Sequence, residues 1–123
     1  KKNPNISIFK RKILVRLAFF NYFLYFCKSK KYDIYLINNG SVIFHEDTDR
    51  LISQYAVIKV SDSDYESLDK KYITHIKKEK YGISCLTNER QFYTENYPNL
   101  VIENGSIDDT VLLIVGGERI WKH

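Results

Sequence analysis

The fifteen residues from Ile13 to Cys27 are apolar except for Arg16 and Asn21, and this block constrains the fold more than any other stretch of the chain. It lies within residues 1–31, which hold nine Lys or Arg and no Asp or Glu. Left in water, so continuous an apolar run would exceed the exposed patch that a soluble protein tolerates, so it must be covered. Ile6, Phe9, Ile13, Leu17, Phe20, Leu24 and Cys27 recur in the three-and-four steps of one helical face, and Val15, Phe19, Tyr22 and Phe26 occupy the other side. The spacing predicts a long N-terminal helix over about 6–28. A helix apolar nearly all round belongs at the centre of a core or in lipid. The block is shorter than the roughly 20 residues that span a bilayer, and Lys28, Ser29, Lys30 and Lys31 follow it where an export leader would carry small residues for cleavage. A core helix is therefore expected, with a membrane anchor or interfacial helix over residues 13–27, or an uncleaved export signal, as alternatives.

Beyond this segment the pattern shortens to strands and turns. Tyr32 to Ile37 alternates, Asn38-Asn39-Gly40 is a tight-turn signal, and Ser41 to His45 resumes the alternation, which predicts a β-hairpin. Asp47 to Ser53 suits a short helical turn, and Tyr55 to Val60 a strand rich in β-branched residues. Ser63 with Glu66 forms a capping box. From it a second helix is expected, with Leu68, Tyr72, Ile73 and Ile76 as its apolar face, Lys77, Lys78 and Lys80 in its last turn, and Gly82 as its stop. Short strands follow at Ile83 to Leu86 and Leu100 to Glu103, separated by a polar stretch with Pro98. Val111 to Val115, Gly116-Gly117 and Glu118 to Lys122 predict a closing hairpin. No repeat or linker divides the 123 residues, so a single domain over 1–123 is expected. Its fold class is α+β, with the long N-terminal helix and the second helix packed on a mostly antiparallel sheet.

Potential chemistry is sparse. His45, Glu46, Asp47 and Asp49 are the densest set of ligand-type residues, but the Gly and Glu positions of a calcium loop are missing, so a solvated loop capping a short helix is expected and no metal. Asp108-Asp109 reads as a polar turn, since consecutive carboxylates rarely aim at one atom. His75 suits a structural place, and Gly116-Gly117 lacks the Lys-Ser/Thr of a phosphate loop. Cys27 and Cys85 have no metal-type spacing and are expected to be buried thiols, with one disulfide as the alternative. Neither an enzyme nor a cofactor is expected.

Charge is the remaining guide. The nine bases of residues 1–31 leave ten bases against fifteen acids in residues 32–123, so a +9 segment is joined to a −5 body. Lys10, Arg11, Lys12, Arg16, Lys28, Lys30 and Lys31 are the candidate partner-binding residues. Another protein with an acidic patch is the expected partner, with the ten Tyr as low-entropy anchors. The expected function is a small non-enzymatic protein-binding module, an inhibitor or an immunity protein that neutralises a toxin; the sequence does not fix its compartment, and favours the cytoplasm over membrane association. The alternatives are a membrane-associated accessory protein held by residues 13–27 and a basic nucleic-acid-binding protein.

Overall fold

The computed structural model describes residues 15–16, 22–28 and 32–120. The chain divides into two compact units, residues 1–50 and 51–123. It is α+β, with four helices and two antiparallel sheets among the described residues.

The first unit is a meander of four strands, β1 (Val15–Arg16), β2 (Tyr22–Lys28), β3 (Tyr32–Asn38) and β4 (Ser41–Asp47). The β3–β4 hairpin closes as the Asn-Gly signal requires: Asn39 and Gly40 have φ of 52° and 81°, the left-handed pair of a turn whose twist matches the strands. Leu36 faces Phe44 and Ile37 faces Val42, so Ile43 is the extra residue of a bulge. The long N-terminal helix expected over about 6–28 is not what the described part of that segment forms. Tyr22–Lys28 is strand β2, in unbroken register with β3 from Tyr22↔Asn38 to Lys28↔Tyr32; residues 6–14 and 17–21 lie outside the described residues. A run apolar on every side satisfies the helical period and the strand period alike, and its aromatics suit a sheet. Among the described residues no helix is long and apolar enough to cross a membrane.

Helix α1 (Thr48–Gln54) follows, and its Leu51 is buried. The Asp47 carboxylate starts it by accepting the Arg50 N–H at 2.8 Å.

In the second unit, β5 (Ala56–Val60), α2 (Asp62–Ser67), β6 (Ile73–Glu79), β7 (Gly82–Thr87), α3 (Arg90–Asn96), β8 (Val101–Asn104), α4 (Ile107–Gly116) and β9 (Glu118–Arg119) build a sheet of order β8-β5-β7-β6-β9. Its first four strands repeat β-α-β-β-α-β with order 4-1-3-2, a split β-α-β topology. Alternation divides the strands between two faces. One carries Ile58, Val60, Ile73, Ile83 and Cys85, which pack with Leu68 and with Tyr93 of α3 as the core. The other carries Val57 and Leu86, both buried, beside Lys59, Ser84 and Lys77. Helix α4 packs against β5, β6 and β7.

Three expected elements are corrected here. The second helix, expected from Ser63 to Gly82, is only the six residues of α2, and its cap is Ser61, whose Oγ accepts the Asp64 N–H at 3.1 Å. Tertiary tyrosines stop it. Tyr97 Oη accepts the Asp69 N–H at 2.8 Å, while Tyr93 Oη donates to the Asp69 carbonyl at 2.6 Å and accepts the Tyr72 N–H at 3.2 Å. Those backbone groups are the ones a continuing helix would use, so the chain emerges extended and Ile73, Thr74 and Ile76 enter a strand, as β-branched residues prefer. Gly82 ends no helix: at φ 149°, a Cβ there would stand 2.3 Å from the Val60 carbonyl oxygen. The closing hairpin expected over 111–122 is helix α4, capped by Ser106 Oγ on the Asp109 N–H at 3.0 Å, with Asp108 and Asp109 at its positive end. Finally, the polar stretch before Pro98 contains α3, whose single buried residue is Tyr93.

Candidate functional site

Alternation places Lys59, Ser84 and Lys77 side by side across β5, β7 and β6, on the face opposite the aromatic core. Ser84 is almost fully buried and donates from Oγ to Glu79 Oε2 at 3.0 Å, so the Glu79 carboxylate leans over the strand row. Glu103 of β8 enters the same face two residues beyond Lys59's neighbour Val101. Helix α4 crosses this face only in part. Gly105 at its start lies near Ala56, and a Cβ built on Gly116 at its end would stand 3.8 Å from Lys77 Nζ, so a cation lies by the helix C-terminus. The corner it leaves is a cleft of about 150 Å³ with Lys59, Lys77, Glu79, Glu103 and Asp109 at its rim and Val57, Leu112 and Leu113 on its walls.

Glu79, in the lining of this cleft, is the last residue of β6 before the β6–β7 turn. Lys80 and Tyr81 form the turn, and Tyr81 is 86% exposed, the most exposed large hydrophobic among the described residues. Lys80 Nζ stands 5.4 Å from the Tyr81 ring centre, and Lys78 Nζ bonds Asp62 Oδ1 at 2.9 Å on the neighbouring helix. The turn is short and both of its strands are paired, so the ring is presented on a rigid support.

His75 sits further along β6, opposite Arg119 of β9. Its Nδ1 is 3.0 Å from Thr74 Oγ1, and burial, with the Arg119 charge adding to it, lowers its pKa below the ordinary 6.5. On the core face Cys85 is a fully buried free thiol, pushed up to about 12 by burial against a small opposing effect of Lys70. It is shielded rather than reactive. Tyr93 is likewise raised to about 12, chiefly by burial.

The residues singled out by sequence are dispersed. Lys10, Arg11, Lys12, Lys30 and Lys31 lie outside the described residues; Arg16 and Lys28 fall on β1 and β2, with their side chains outside them. His45, Glu46, Asp47 and Asp49 do not converge. His45 stacks on Tyr35 at 4.0 Å and reaches Asp33 at 3.4 Å, Glu46 pairs with Arg50 at 3.1 Å, and Asp47 caps α1. Asp108 and Asp109 begin α4, and only Asp109 reaches the cleft. The lysines of the turn were missed as a site because they looked like the end of a helix. Lys80-Tyr81-Gly82, a polar pair before a glycine between two β-capable runs, was the signal for a hairpin.

Compared with known proteins, the chain matches no family model, no curated protein and no solved structure.

Proposed function

We propose that the chain is a non-enzymatic protein-binding module, and that its second unit meets an acidic patch of its partner through the β6–β7 turn, with the mixed-charge cleft beside it facing basic groups of the same partner. The observation that carries this reading is Tyr81, 86% exposed on a paired hairpin, with Lys80 beside it in the turn and Lys77 and Lys78 on the strand behind it. An aromatic ring held on a rigid turn loses little entropy on docking, and such residues supply a large share of interface energy. The lysines complement carboxylates around a receiving pocket. Glu79, Glu103 and Asp109 at the cleft would repel the phosphates of a nucleic acid at the same place, which favours a protein with charges of both signs.

The test begins with the immobilised full chain, its Tyr81→Ala variant and a Lys78→Glu/Lys80→Glu variant, each exposed to extract of the native source. A stoichiometric protein retained by the first and lost by both variants is expected. With that protein purified, raising salt from about 0.05 to 0.5 M, which shortens the screening length severalfold, should slow association and leave dissociation nearly constant. An affinity that collapses only for DNA or RNA would sink the reading. The finer form, an inhibitor or immunity protein, further requires that the partner's toxic activity fall on binding.

A further inference from the structure

The outer edge of the second sheet holds a separate feature. Among the described residues, strand β8 is the last strand on its side of the sheet and pairs with β5 alone. Its side chains alternate: Val101, 57% exposed, and Glu103 lie on the cleft face, while Ile102 lies on the core face. Beside Ile102 runs a groove of about 380 Å³ lined also by Thr94, Tyr97 and Leu100, with Arg90 at one end. Arg90 holds that end of the edge in place, bonding the Ile52 and Ser53 carbonyls of α1 and Asn104 Oδ1 of β8. Edge strands are usually blunted by shortness, a charge, a Pro, a bulge or a covering element. Strand β8 is four residues long, and its one charge is Glu103, with no Lys or Pro beside it in the strand.

We infer that β8 accepts an added β-strand from a partner protein, one reading basic-apolar-apolar over three consecutive residues. Charge and register define it. Glu103 faces Val57 on β5, so its cross-strand neighbour inside the sheet is uncharged, and a strand on the outer side would place a residue directly opposite its carboxylate. A Lys or Arg suits that position, an apolar side chain the one opposite Ile102 over the groove, and another the one opposite exposed Val101. A second copy of this chain fits poorly, because residues 97–106 hold no Lys or Arg to set against Glu103 in either direction. Main-chain hydrogen bonds would give the affinity and these three positions the selectivity. The inference shares with the function proposed above only the class of partner, since it uses neither Tyr81 nor the turn.

A library of displayed short peptides selected on the full chain tests it. Enriched peptides should carry the basic-apolar-apolar pattern, and synthetic copies should lose about tenfold in affinity for Glu103→Lys, with binding recovered when the peptide's base is changed to Glu. Methylating alternate peptide backbone nitrogens should abolish binding and methylating the others should not. Tyr81→Ala should leave the peptides bound, so failure here and failure of the turn are told apart. Peptides indifferent to Glu103→Lys and to backbone methylation, or self-association through β8 in place of peptide binding, would overturn the inference.

Discussion

The two faces of the five-stranded sheet are made by the same strands, yet only one of them is a core. On the first, Ile58, Ile73, Ile83 and Cys85 meet Leu68 and Tyr93 beneath α2 and α3, and the hydroxyls of Tyr93 and of Tyr97 just after α3 are spent on the backbone of residues 69–72. On the second, α4 seals Val57 and Leu86 but leaves the Lys59–Ser84–Lys77 row beside a charged cleft. A one-residue step along a strand therefore separates a position that holds the fold from a position available to a partner. Stability should be concentrated on the first face and binding on the second.

The severest test of that division is Tyr93→Ala, which removes a fully buried ring and both of its hydrogen bonds; a loss of about 3–5 kcal/mol in denaturant unfolding is expected. Lys59→Ala, one residue from Ile58, should stay within about 0.5 kcal/mol of the parent, and equal losses would break the comparison. Tyr93→Phe keeps the ring but strands the Tyr72 N–H and the Asp69 carbonyl, and should cost about 1–3 kcal/mol.

A smaller effect comes from His75, on the second face where β9 and α4 pack against β6. Because its pKa is lowered in the folded chain, the unfolded chain takes up the proton first as pH falls. The neutral form's contribution is whole above the ordinary value of 6.5 and is lost as pH drops below it toward the folded value. Melting temperature should thus fall more steeply between pH about 7 and 5 for the parent than for His75→Gln. Equal slopes would mean that this end of the second face is open to water.

Cys85 sharpens the contrast without moving stability. In a Cys27→Ser background its thiol, raised to about 12, should react with a disulfide reagent at pH about 8 far more slowly in the folded chain than in urea. The smallest effect is expected at Tyr81→Ala, within about 0.5 kcal/mol of the parent in unfolding, in the same variant that should lose the proposed partner binding.

The local signals that were legible are those whose geometry closes over a few residues. Asn39-Gly40 specified the β3–β4 turn, Asp47 the start of α1, the β-branched run at β5 its strand, and the short run Ile83 to Leu86 most of β7. The misread segments all depended on something distant. Ser106-x-x-Asp109 is a cap written in the chain, but the β-branched run Val111 to Val115 fits a strand equally well until it has a sheet to lie on. The candidate site was less legible than the fold. Lys77, Lys78, Lys80 and Tyr81 carry their meaning only once Ile73–Glu79 is a strand; on a helix the same lysines would have served its dipole.

By itself, then, the sequence determined the α+β class, the β3–β4 turn and the charge carried by each segment, because dihedral preference and charge are properties of neighbouring residues. Tertiary structure decided where α2 stops, that residues 107–116 are helical, and which side of each strand faces the core. Tyr93 and Tyr97 reach back more than twenty residues to take the backbone groups of Asp69 and Tyr72, and only the folded chain brings those partners within hydrogen-bond distance.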